Sequence, residues 1–224
     1  MKRKIFLMAA LILASMQMVF AQDNLEWFPA TGAKNMGFKH KISYGEYQTS
    51  RVKVKEETSS TQVLGVTVKE THQMHYKFEQ MVGETAAKVE VCENELPEGI
   101  NEWNKVFNLH LGDSLSFVAS IALPDKTVWA FACDVSGRDQ GFNCGSIVSP
   151  DGKVAFTIFG NNYSSPKDVM LHRYISYYEV REGDKVVGRV DTKEDGKAWV
   201  DPSLDINSKL LVSSVLTCYL LRKW

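Results

Sequence analysis

The chain ends on LDINSKLLVSSVLTCYLLRKW, Leu204 to Trp224, and the fold depends on how that segment is read. From Asn207, a residue suited to capping a helix, to Arg222, the apolar positions are Leu210, Leu211, Val212, Val215, Leu216, Cys218, Tyr219, Leu220 and Leu221. On a helical wheel they occupy nearly every side. Ser213, Ser214 and Thr217 interrupt them, and all three are small enough to bond back to the helix's own carbonyls. A helix apolar all round lies either in a membrane or inside protein. Leu210 to Leu221 is 12 residues, about 18 Å as a helix, against a hydrocarbon core of ~30 Å. The segment is too short to span, so it predicts a helix over 207–222 buried within protein. The same run also suits a β-strand, because short apolar runs are ambiguous between the two.

Burial on every side requires a surrounding wall, and the preceding chain has the period of two that half-buried strands show. In LSFVASIAL, Leu115, Phe117, Ala119, Ile121 and Leu123 share a face; in KVAFTIF, Val154, Phe156 and Ile158 do; in MHYKFEQMV, Met74, Tyr76, Phe78 and Val82 alternate with His75, Lys77 and Glu79. YISYYEVRE and KVVGRV flank the turn GD as a hairpin, and FKHKISYGEY, RVKVKE, QVLGVTV, AKVEVC, KVFNLHL, TVWAFAC, NCGSIV and KAWV read as further strands. KEETSSTQ and NELPEGINEW are the composition breaks, each short enough for a loop. An eight-stranded barrel is filled by its own side chains, whereas about twelve strands leave room for a helix ~10 Å across. The expected fold is therefore a mainly β, about twelve-stranded antiparallel barrel enclosing a hydrophobic C-terminal helix. The alternative is a β-sandwich with the helix packed on one face, which would leave a polar side that this segment lacks.

The hairpin YYEVREGDKVVGRV followed by LDINSKLLVSSVLTCYLL resembles the end of the tubby-like superfamily, in its phospholipid-scramblase and LURP-one branches. The matching positions are Gly188, Leu204, Asp205, Ile206 and Lys209, within roughly the last fifty residues. The resemblance implies a twelve-stranded barrel around an apolar terminal helix, with a tie to phospholipid headgroups. No scrambling or signalling activity follows from it. Upstream only the strand count agrees; the chain has neither a Pro-rich N-terminal arm nor a Cys cluster suited to lipidation.

At the other end, MKRKIFLMAALILASMQMVFAQ joins Lys2, Arg3 and Lys4 to a short apolar run and a V-F-A step, the pattern of a secretory signal peptide cleaved after Ala21. Residues 1–21 are set apart from the fold, and 22–224 form a single β-rich domain. Export places the protein outside the cytoplasm, secreted or in the periplasm or cell envelope. Removal of the leader takes the formal charge from -1 to -4, which argues against nucleic acid as a partner. Four cysteines, Cys92, Cys133, Cys144 and Cys218, lie in the exported part, where disulfides persist. A Cys133–Cys144 bridge would close the turn-rich DVSGRDQGFN loop; buried thiols are the alternative reading.

The chain carries no G-x-S-x-G elbow, P-loop, G-x-G-x-x-G or C-x-x-C spacing, and nothing in it calls for a cofactor. HQMH resembles a metal pair, but His72 and His75 on a strand point to opposite faces, so no metal site is expected. DVSGRDQG lacks the carboxylate spacing of a calcium loop, and Asn162-Tyr163-Ser164 matches the glycosylation triplet. One charge pattern has a binding reading. In RVKVK, Arg51, Lys53 and Lys55 fall on one face of a strand, with Lys39 and Lys41 of KHK nearby, and such a row of cations holds phosphate or sulfate groups. Lysines on an outer strand also discourage edge pairing, which is the competing account. Trp27, Phe28 and Trp103 are further binding cues, or caps for a barrel mouth. These features point to an exported, non-enzymatic binding or structural protein of the cell envelope, with an anionic amphiphile such as a phospholipid headgroup, a glycan or an envelope protein as partner. The alternative is a hydrolase whose site assembles from loop residues.

Overall fold

A computed structural model of the chain describes residues 26–32, 41–63, 66–93, 116–134, 143–161 and 177–221, with 56–63, 66–73, 93, 116, 117, 134 and 143 described by backbone alone. Thirteen strands form one antiparallel sheet: β1 (Phe28–Pro29), β2 (Ser43–Tyr44), β3 (Tyr47–Thr49), β4 (Lys53–Val63), β5 (Val66–Val82), β6 (Thr85–Glu93), β7 (Ser116–Ala122), β8 (Val128–Asp134), β9 (Asn143–Val148), β10 (Val154–Asn161), β11 (Tyr177–Glu182), β12 (Lys185–Asp191) and β13 (Lys197–Val200). Among the described residues one helix, α1 (Ile206–Leu221), follows. The sheet runs β1-β13-β12-β11-β10-β9-β8-β7-β6-β5-β3-β2, and the bridge between Thr31 and Ser43 joins its two ends into a nearly closed twelve-stranded barrel. β4 lies off this path and pairs with β5, forming a long hairpin. KEETSSTQ, expected as a loop, is part of β4, because the backbone ladder to β5 continues through it to Val63↔Val66.

Local chemistry sets the hairpins. Val82↔Thr85 brackets Gly83–Glu84 and Glu182↔Lys185 brackets Gly183–Asp184, with φ of +59° and +57° at the glycines. A glycine first in a two-residue loop adopts that conformation without a Cβ clash, and the loop's twist matches its strands.

The interior is the helix. Every residue from Leu210 to Leu221 is buried, and α1 packs against β5, β6, β12 and β13. Tyr219 stacks on Tyr178 of β11 at 4.1 Å between ring centroids and reaches Phe131 of β8 at 6.0 Å, while the Tyr44 hydroxyl of β2 donates to the Ser213 carbonyl at 2.8 Å. Contacts thus come from strands spread around the wall, as a central helix requires and a sandwich face does not. The segment is helical and not a strand. Two details differ from expectation. The cap is Asp205, whose carboxylate accepts from the backbone N–H groups of Asn207 (2.9 Å) and Ser208 (3.1 Å) and from the Ser208 hydroxyl (2.6 Å), so the helix starts at Ile206. Ser213 bonds back to the Leu210 carbonyl, but Thr217 instead donates to Gln80 Oε1 at 2.7 Å and pairs with Tyr44 at 3.2 Å, pegging the helix to β5 and β2.

Candidate functional site

Because α1 fills the barrel, the chemistry on offer to a partner lies on the outer wall. Between Thr49↔Gln80 and Lys53↔Lys77 the β3–β4 side carries one residue more than β5, a bulge at Ser50–Val52. Ser50 closes it by donating its N–H to the Glu79 carbonyl and accepting the Glu79 N–H on its hydroxyl, both at 2.8 Å. Beyond the bulge the expected alternation holds. Arg51, Lys53 and Lys55 are exposed, Val52 is buried in the core, and Val54 packs against it.

The register arranges the outer face of β4, β5 and β6 in three rows. Arg51 follows Ser50, which pairs with Glu79, itself opposite Lys88; Lys53 is opposite Lys77, which is opposite Glu90; Lys55 is opposite His75, which is opposite Cys92. Five cations thus share this block with two carboxylates. Like charges directly opposite on paired strands repel, and Lys53 and Lys77 are so placed. Lys77 forms an ion pair with Glu90 at 2.9 Å, but both side chains are more than half exposed, so the pair contributes at most about 1 kcal/mol. Among the described residues neither Arg51 nor Lys53 is ion-paired. Lys41 is exposed too, and the β2–β3 pairing, continued by the Thr49 N–H donating to the Ile42 carbonyl, carries it toward Ser50. Lys39 lies outside the described residues.

A second charged wall, on β10 to β13, escaped the sequence reading. Phe159, Glu179, Arg189 and Trp199 form one cross-strand row on the outer face. Glu179 is only 3% exposed, clamped by Arg181 through Nη2 and through Nε at 3.1 Å, and by Arg189 Nη2 at 2.8 Å. Arg181 lies over the Phe159 ring at 4.6 Å and Arg189 over Tyr177 at 6.0 Å. Trp27 meets Tyr177 edge-on at 6.3 Å, with the Lys197 ammonium 4.9 Å above its ring. Its charges and rings are used on one another, so this wall acts as a closed layer. The signal in the sequence was the alternation Glu179, Arg181 in YYEVRE with Arg189 across the GD turn. Phe28 packs against the core, in keeping with a capping role.

The bridge expected between Cys133 and Cys144 is absent; all four cysteines are unbridged. The register puts Cys133 opposite Gly145, with Cys144 one residue along, where the β9–β10 register shifts between Ile158↔Gly145 and Phe159↔Asn143. Both side chains belong to the core cluster. Among the described residues no group of three or more His, Cys, Asp or Glu could hold a metal ion. Trp103, Asn162-Tyr163-Ser164, the interior of DVSGRDQGFN and the loops on which a hydrolase site would be built lie outside the described residues, as do residues 1–25 with the expected leader.

No protein-family model, no curated protein and no solved structure matches this chain.

Proposed function

We propose that the chain is an exported, non-enzymatic binding protein of the cell envelope that holds anionic amphiphiles, through phosphate-bearing headgroups, on the outer wall of β4 to β6. The observation that carries this reading is the direct apposition of Lys53 and Lys77, with Arg51 and Lys55 on the adjoining rows, where five cations stand with two carboxylates, Glu79 and Glu90. An anion seated between the two ammonium groups relieves their repulsion and gains charge-assisted hydrogen bonds. Two features support this wall: the helix occupies the barrel, and the arginines of the other charged wall are engaged by Glu179 and by aromatic rings. The phospholipid tie implied by the tubby-like resemblance of the C-terminal segment runs in the same direction.

Co-sedimentation with vesicles of phosphatidylcholine alone and of phosphatidylcholine with phosphatidylglycerol tests it. The wild type is expected to bind only the anionic vesicles, and less in high salt, since exposed charges are screened. Each cation near such a surface contributes about 1 kcal/mol, so the triple variant Arg51→Ala, Lys53→Ala, Lys55→Ala should bind about a hundredfold more weakly with an unchanged circular dichroism spectrum. Equal binding by the variant sinks the site.

A further inference from the structure

The hairpin of β4 and β5 leaves the barrel as a two-stranded ribbon. β6 ends at Glu93, opposite Met74, so residues 66–73 of β5 run on past it with β4 as their partner, a projection of about 25 Å at the usual rise of a strand. A two-stranded ribbon is marginally stable by itself, and a further strand on its edge stabilises it. The register shows which groups that edge offers. Glu79 turns both its N–H and its carbonyl toward Ser50. Every second residue before it on β5, namely Lys77, His75, Gln73 and Thr71, does the same toward its partner on β4, which is Lys53, Lys55, Glu57 or Ser59. The alternating residues of β4, Val54, Glu56, Thr58 and Ser60, therefore point their N–H and carbonyl groups away from β5. Among the described residues no strand pairs with that edge of β4.

We propose that this edge is a dimerisation surface: β4 of one copy pairs antiparallel with β4 of a second copy about a two-fold axis at Thr58, joining the two ribbons into a four-stranded sheet. Two observations select a second copy as the occupant. β4 is 11 residues long with Thr58 at its centre, so the strand reversed on itself there overlaps its partner along its whole length. The same register sets no like charges opposite each other. Lys53 is opposite Val63, Lys55 opposite Thr61, Glu56 opposite Ser60 and Glu57 opposite Ser59, with Thr58 opposite its own copy. Lysines that guard an edge against pairing stand only at the barrel end of β4. From Thr58 to Val68 the ribbon carries no charged residue and is rich in Thr and Val, which favour strands. One patch meeting its own copy is the contact that closes a two-fold dimer. Pairing runs through the edge, so it is independent of headgroup binding on the outer face.

Sedimentation velocity of the full chain without lipid, over a concentration series, reads the equilibrium directly. The wild type should pass from monomer to dimer as its concentration rises. Thr58→Pro removes an N–H that the ribbon's own ladder does not use and should weaken the dimer about tenfold or more, since both copies lose a central hydrogen bond. Thr58→Val keeps that N–H and should leave the equilibrium within about twofold. Ser60 tests the register. Ser60→Glu sets carboxylates opposite each other at two symmetry-related places and should weaken the dimer about tenfold, whereas Ser60→Lys meets Glu56 with the opposite charge and should tighten it. The Ser60 pair also carries the test if proline perturbs the ribbon, and circular dichroism checks that each variant is folded. A wild type that stays monomeric throughout the micromolar range overturns the dimer. An unchanged equilibrium in folded Thr58→Pro overturns the edge, and the same response to Ser60→Glu and Ser60→Lys overturns the register.

Discussion

At Gly188 of β12 a Cβ would stand 2.5 Å from Val212 Cγ1 and 3.5 Å from Leu216 Cδ1, so the absence of a side chain there lets the helix lie against the wall. Gly188→Ala should lose about 1–3 kcal/mol in urea unfolding, the range for overpacking a core. Combining it with Val212→Ala should return part of that loss, giving a coupling that two independent defects would not show. The sequence marked Gly188 by its place in the hairpin resemblance; its steric reason needed the helix in position. The contact between His75 and Cys92 was also within reach of the sequence. His75 is as far before the Gly83–Glu84 loop as Cys92 is after it. The strand pattern of MHYKFEQMV assigned His75 to the polar face correctly, but without the loop fixed no partner could be assigned to it.

At the scale of the element, the helix was legible because its apolarity has no gap to face solvent, and the twelve residues from Leu210 to Leu221 are all buried. Its start was less legible, since Asp205 and Asn207 are both capping residues; Asp205 prevails by satisfying two backbone N–H groups and the Ser208 hydroxyl together. The Ser208 hydrogen bond, against an opposing effect of burial, holds the Asp205 carboxyl below the ordinary value, helped by the Ser208 and Asn207 N–H groups. A folded-state pKa below the unfolded one means that the cap's contribution is full above the usual Asp range near ~3.9 and is lost as pH falls through the lower folded value. Asp205→Ala should therefore cost about 1 kcal/mol at neutral pH. The gap from wild type should narrow toward zero in denaturation curves taken progressively below that range. Lys209, four residues on, ties the same end to Glu46 in the β2–β3 turn at 3.0 Å and lowers the Glu46 carboxyl by that hydrogen bond, so this junction loosens in acid in the same sense. KEETSSTQ shows the converse case. Its polar composition suggested a loop, yet pairing with the 17-residue β5 carries it as strand; tertiary pairing outweighs local preference in sheets.

At the scale of the whole molecule, the period of two and the count of turns were enough to anticipate a barrel, since each strand presents one apolar face and the terminal helix needs all of them. The division of labour between the two charged walls was not legible. It depends on register: β11 and β12 bring Glu179 between two arginines, whereas β4 and β5 set lysine against lysine. The proposed binding surface rests on that contrast, since the arginines of the other wall are engaged by Glu179. All of it presupposes a helix that never leaves the barrel, because an interior that opened would offer a pocket and make the outer surface secondary. Native-state hydrogen exchange resolved to individual amides measures this directly. The amides of Leu210 to Leu221 are expected to exchange only by global unfolding, with the same free energy as the most protected amides of β6 and β12. Exchange of the helix through an opening of lower free energy that leaves those strands protected would contradict the account.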